Sequence, residues 1–116
     1  MSFNWIEFIE LSEKLIDNFK DQASFRTSIS RAYYGAFCLA RDKKQINSSD
    51  KNVHRIVIET FQKSNNINEK KVGKILYDLR KSRNEADYQT NKSFDLNNTK
   101  KIIQKSREIV NLLSNF

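Results

Sequence analysis

Five polar side chains lie close together in the second half of the chain, on little more than two helical turns: Arg80, Arg83, Asn84, Asp87 and Tyr88. At 3.6 residues per turn, Arg80, Asn84 and Tyr88 share one stripe, and Arg83 with Asp87 shares the neighbouring stripe. All five side chains can therefore converge on one groove. Because guanidinium groups bind phosphate through paired hydrogen bonds, this pattern indicates a polar site for a phosphate.

The same spacing also fits a solvated helix face on which the charges pair with one another. Such pairs stabilise a helix by only about 0.2–0.5 kcal/mol each. Spacing alone does not separate this interpretation from a binding site.

Two residues outside this stretch are further candidates. Arg31 lies in an expected helix, where it forms a structural salt bridge or contributes to the site. His54 is the only histidine in the sequence. A lone histidine is more often a surface or structural residue than a catalyst, and both interpretations stay open.

Composition indicates a single all-α domain, residues 1–116. Proline and glycine commonly mark the turns between strands, and the chain has no proline and only two glycines. Strands joined by tight hairpins are therefore not expected. The single cysteine, Cys38, excludes an internal disulfide, and no apolar run approaches the roughly 18 residues that a membrane span needs. We therefore expect a cytoplasmic protein that does not enter a membrane.

Positive charge is concentrated in the second half of the chain. Residues 1–62 carry nine Lys/Arg and eight Asp/Glu, whereas residues 63–116 carry twelve and six. A basic half can attract a phosphate backbone, although it can equally attract an acidic protein.

Apolar periodicity predicts an up-and-down bundle of about five helices with short loops. The first two are expected at 3–19 and 22–44, and a third follows a polar loop at 45–50 and ends near residue 64. Asn68 is expected to cap a fourth helix ending near residue 89, and Asp95 a fifth ending near residue 113. The second and fourth helices should be central, with a line of small residues allowing close approach: Ala32, Gly35, Ala36 and Ala40.

Two segments carry a resemblance to a known family: SRAYYGAF at residues 30–37 and RNEADY at residues 83–88. Together they resemble the HEPN family, small all-helical domains of prokaryotic toxin–antitoxin and defence systems. The similarity covers about residues 24–90. It is greatest for the small stand-alone branch with SRAYY and arginine–ADY helices, which is often paired with minimal nucleotidyltransferases.

The resemblance implies RNA chemistry at Arg83. HEPN ribonucleases carry an arginine followed after about four to six residues by a histidine, and two such motifs meet across a homodimer to cleave RNA without metal. The arginine would hold the phosphate and the histidine would transfer a proton. Here Tyr88 stands at the histidine position, and an unperturbed phenol, with a pKa near 10, is a poor base at neutral pH.

Three functions follow from this resemblance. We favour an RNA- or nucleotide-binding module that cleaves weakly or not at all, with Arg80, Arg83, Asn84, Asp87 and Arg31 as its binding residues. The site would form in a symmetric homodimer that brings together two copies of residues 80–88. No metal or cofactor is expected, because no His/Cys/carboxylate cluster has ligand spacing.

Two alternatives stay open. The first is an atypical metal-independent endoribonuclease acting as a homodimer, in which Tyr88 or His54 transfers a proton beside Arg83. The second is a protein partner of a minimal nucleotidyltransferase, with Tyr88 as the residue that receives the nucleotide.

Overall fold

The computed structural model describes residues 2–47 and 49–114, and in this part of the chain it contains five α-helices and no strand. The expected all-α bundle is confirmed. Of the loop predicted at residues 45–50, residue 48 lies outside the described residues. The helices are α1 (Ile6–Asn18), α2 (Gln22–Lys43), α3 (Val53–Gln62), α4 (Ile67–Tyr88) and α5 (Leu96–Leu113).

Side-chain caps explain where the last two helices begin. The Asp95 carboxylate accepts a hydrogen bond from the Asn98 backbone N–H at 2.7 Å, so the predicted cap of α5 is confirmed. The predicted Asn68 cap of α4 is wrong, because the Asn66 side chain accepts from the backbone N–H groups of Asn68 and Glu69. An asparagine side chain satisfies helix donors most readily from the residue before the first turn.

Helix α2 occupies the centre of the bundle. It contacts all four other helices, and α4 contacts α2, α3 and α5. Two linked groups of apolar side chains form the core on either side of α2. The inward-facing line of α2 is buried throughout: Phe25, Ile29, Ala32, Ala36 and Ala40.

Both glycines lie where two helices approach closely. A Cβ at Gly35 would lie 2.9 Å from the Trp5 carbonyl oxygen and 3.0 Å from Cγ1 of Ile9. The close approach at Gly35 therefore involves α1, not α4 as predicted. A Cβ at Gly73 would lie 2.6 Å from the Gln62 backbone nitrogen, so α4 passes directly against the end of α3, the helix that carries the lone histidine.

The beginning of α2 holds the junction between α4 and α5. The Gln22 amide donates to the Phe94 carbonyl and accepts from the Phe94 N–H at 3.0 Å. The Arg26 guanidinium donates to the Ala86 carbonyl at 2.9 Å and to the Lys92 carbonyl. The Ala86 carbonyl, in the last turn of α4, thereby gains a hydrogen-bond donor that the helix itself cannot supply.

No helix within residues 2–47 and 49–114 is at once long enough and apolar enough to cross a membrane.

Candidate functional site

Arg83 is held by neighbours within the protein. Its Nε lies 2.9 Å from Oδ2 of Asp87, four residues later on α4, and its Nη1 donates to Oδ1 of Asn84 at 3.1 Å. Asp87 also accepts a hydrogen bond from the Ser30 hydroxyl of α2 at 3.2 Å. The Arg83 and Asp87 side chains are each only 25% exposed. Arg83 is therefore paired within α4, and its carboxylate partner Asp87 connects the pair to α2 through Ser30.

Arg80 differs from Arg83 in having no partner among the residues that the structure describes. It is half-buried, yet it makes no hydrogen bond or ion pair with any residue that the structure describes. It does act electrostatically on His54 and Tyr33, as does Arg83. Two cations, one paired and one unpaired, therefore lie beside the same imidazole.

His54 is fixed by a phenol and two aromatic rings. Its Nδ1 lies 2.7 Å from the Tyr33 hydroxyl, and its ring stacks on Phe37 with centroids 4.1 Å apart. Burial lowers the pKa of His54 to about 4, and the positive charges of Arg80 and Arg83 contribute to that shift. Burial also raises the pKa of Tyr33 well above its ordinary value. At neutral pH the pair is an uncharged imidazole hydrogen-bonded to an uncharged phenol.

The five α4 side chains do not all converge on one groove. A shallow groove of about 320 Å³ contains Arg80 and Asn84 together with Tyr77, Lys81, Glu85 and Gln89. Arg83 and Asp87 face α2 instead. The groove and the Arg83–Asp87 pair are adjacent because both lie on α4.

Tyr88 lies in solvent at the end of α4. Its side chain is 71% exposed, and the Arg83 guanidinium carbon lies 5.8 Å from the ring centroid. Its hydroxyl is accessible to a partner enzyme, as the predicted nucleotidylation requires. That role stays a prediction.

Arg31 lies among aromatic rings. Its guanidinium carbon lies 5.3 Å from the ring centroid of Phe8 and 5.2 Å from that of Tyr34. These rings belong to what we call the α1–α2 aromatic cluster, in which Arg31 has a structural cation–π role. The cluster consists of Phe3, Trp5, Phe8 and Tyr34 with the guanidinium groups of Arg31 and Arg41.

Several residues around the site were not expected from the sequence. Tyr33 holds His54, Ser30 hydrogen-bonds to Asp87, and Tyr77 and Lys81 line the groove. Tyr77 had a detectable signal, because it precedes Asn84 by seven residues and so lies on the same helical stripe. The contribution of Ser30 depends on packing between residues 57 positions apart, which spacing does not reveal.

Comparison of the chain with family models, curated proteins and solved structures finds no match. Within the described residues, no group of three or more His, Cys, Asp or Glu side chains could hold a metal ion. The resemblance to the HEPN family stays a prediction.

Proposed function

We propose that this protein binds RNA or a nucleotide by its phosphates, with Arg80 as the principal ligand and with Arg83 and Asn84 beside it. The observation that carries this proposal is the half-buried guanidinium of Arg80, which no residue of 2–47 or 49–114 pairs with, next to a second arginine. An unpaired cation that has lost part of its hydration is costly, and a bound phosphate would offset that cost through charge-assisted hydrogen bonds.

The charge distribution supports the same proposal. Residues 63–116 hold twelve Lys/Arg against six Asp/Glu, so this half of the protein attracts a polyanion. The RNEADY segment, which resembles the HEPN arginine motif, lies on the same helix.

The decisive experiment measures binding of a fluorescent RNA by anisotropy. Arg80→Ala should weaken binding by about 10- to 100-fold, since hydrogen bonds to charged groups contribute about 1.5–3 kcal/mol. Lys105→Ala, an exposed change of equal charge on α5, is the control and should weaken binding far less. Equal RNA affinities for the wild type and Arg80→Ala would contradict the proposal.

A second candidate function is metal-independent RNA cleavage with His54 in proton transfer. The favouring observation is that His54, held at Nδ1 by Tyr33, is close enough to Arg80 and Arg83 to respond to their charges. A pKa of about 4 makes it a weak base at neutral pH, so cleavage should be slow. His54→Ala should abolish any metal-independent cleavage while leaving binding largely intact. Cleavage that persists in His54→Ala would exclude this role.

A further inference from the structure

Two tyrosines are exposed on the outer face of α4. Tyr77 is 59% exposed and Tyr88 71% exposed. They are eleven residues apart, so they project from nearly the same side of the helix with about 16 Å of axial rise between them. We call this face the α4 outer strip; its members are Tyr77, Arg80, Lys81, Asn84 and Tyr88. It faces away from the buried residues of the same helix, which include Val72 and Leu79.

The strip carries two positive charges, those of Arg80 and Lys81, that form no ion pair within the described part of the chain. Two acidic side chains of α4 have other partners: Asp78 lies 3.6 Å from the Lys74 ammonium, and Glu85, which also lines the groove, lies 3.3 Å from that of Lys92. The two cations of the strip make no ion pair or hydrogen bond with any described residue. An anionic partner is therefore favoured over a neutral or basic one.

Exposed aromatic rings beside unpaired cations match the chemistry of single-stranded nucleic acid. Unpaired bases stack on aromatic side chains, and the phosphates between them bind to lysine and arginine. A shallow groove of about 320 Å³ contains the first ring, that of Tyr77, and both cations. The ring of Tyr88 lies further along the same face of α4 and is 71% exposed. A duplex would offer phosphates but no free base faces, and a mononucleotide could reach only one of the rings.

We propose that the α4 outer strip binds single-stranded RNA, with bases stacked on Tyr77 and Tyr88 and phosphates bound by Arg80 and Lys81. This inference rests on the proposed function and narrows its ligand from RNA or a nucleotide to an unpaired RNA segment. It also assigns binding roles to Tyr77 and Lys81, which the charge pattern alone does not identify.

The test compares two probes that carry the same number of phosphates. One is a fluorescent single-stranded RNA of about ten nucleotides, within the usual site size for such proteins, and the other is an abasic oligomer of the same length. Tyr77→Ala should weaken binding of the base-bearing RNA by about 5- to 150-fold. It should leave binding of the abasic oligomer unchanged. Tyr77→Phe, which keeps the ring, should bind both probes as the wild type does.

Three further measurements keep the outcomes distinct. Phe19→Ala removes a similarly exposed ring, 54% exposed at the end of α1, and should affect neither probe. Lys81→Ala should reduce the salt dependence of RNA binding by about 0.7 in the slope of log K against log salt. Tyr77→Ala should leave that slope unchanged.

The inference is overturned if Tyr77→Ala binds the base-bearing RNA as tightly as wild type, or loses affinity equally for both probes. A change in sedimentation with Tyr77→Ala, without any change in RNA affinity, would also overturn it and assign the strip to contact with a second copy of the chain. Binding of both probes that is indifferent to Arg80→Ala would instead remove the proposed function itself.

Discussion

The α1–α2 aromatic cluster and the α4 outer strip combine the same residue types, arginine and aromatic, in opposite states. In the cluster, Arg31 lies against the rings of Phe8 and Tyr34, with its guanidinium carbon 5.3 and 5.2 Å from their centroids. In the strip, the tyrosine rings are mostly exposed, although the Arg83 guanidinium carbon lies 5.8 Å from the centroid of Tyr88. Arg80 has no partner among the described residues.

Packing explains the difference. In the cluster, α1 covers α2 and places its rings against the arginines, so folding already uses their interactions. On the outer face of α4 no described helix provides such cover, and the arginine and tyrosines keep their capacity to bind a ligand. A cation–π contact contributes about 0.5–1 kcal/mol at an exposed site and about 2 kcal/mol when desolvated. The same residue pair therefore stabilises the fold in one place and remains available for binding in the other.

The largest expected effect is a loss of stability caused by a substitution that separates α1 from α2 and so disrupts the cluster. Gly35→Leu places a side chain where a Cβ alone would lie 2.9 Å from the Trp5 carbonyl oxygen, and it should lower the free energy of unfolding by about 3 kcal/mol. Thermal and urea unfolding measure the change. Thr27→Leu, at an exposed position of the same helix, is the control and should change stability little. Equal melting temperatures for wild type and Gly35→Leu would contradict the observed helix contact.

The next effect is the pH dependence of stability that follows from the lowered pKa of His54, to which Arg80 and Arg83 contribute. The folded pKa is about 4, below the unfolded value near 6.5, so between those values the unfolded chain binds more protons than the folded one. Stability should therefore fall as pH decreases from about 6.5 to 4, by roughly 2 kcal/mol after allowance for partial exposure. The difference in pH dependence between wild type and His54→Asn isolates this contribution from that of the carboxylates. Parallel stability curves for the two proteins over that range would show that His54 is not shifted.

A smaller change in stability is expected when one arginine from each region is replaced by alanine. Arg31→Ala removes two cation–π contacts and should cost about 1 kcal/mol of stability. Arg80→Ala removes no hydrogen bond or ion pair to a described residue and should change stability by less than about 0.5 kcal/mol. Urea unfolding of both variants provides the comparison. An Arg80→Ala protein as destabilised as Arg31→Ala would show that Arg80 has a structural role.

The smallest expected effect concerns the exposed tyrosine of the strip. Tyr77→Ala should change the free energy of unfolding by no more than about 0.5 kcal/mol, because its side chain contributes little to the core. Phe8→Ala in the cluster, which removes a half-buried ring, is the informative counterpart and should cost more. If both substitutions destabilise equally, the distinction between a packed cluster and an open strip does not hold.

The local sequence pattern predicts the helices and one of the two helix caps discussed above. The five helices predicted from apolar periodicity are all present, and Asp95 caps α5 as expected. The α4 cap was misplaced by two residues because Asn66 and Asn68 are chemically equivalent candidates, and only the helix start distinguishes them.

Local pattern does not predict which of the two α4 arginines, Arg80 or Arg83, is paired within the protein. Arg83 and Asp87 are four residues apart, which permits an ion pair, but the hydrogen bond from Ser30 that orients the carboxylate comes from α2. The approach of His54 to Arg80 depends on α3 packing against α4. Contacts between distant parts of the chain therefore determine which side chains remain available to a ligand.

The contacts made by Gln22 and Arg26 have a consequence for local unfolding. They connect the first turns of α2 to the last turn of α4 and to residues 89–94, so this junction cannot open without also releasing part of the central helix. Segments joined in this way open as one cooperative unit and exchange their amide hydrogens together. Backbone amides near Tyr88, although close to the surface, should therefore exchange slowly and keep the end of the α4 outer strip ordered before any ligand arrives.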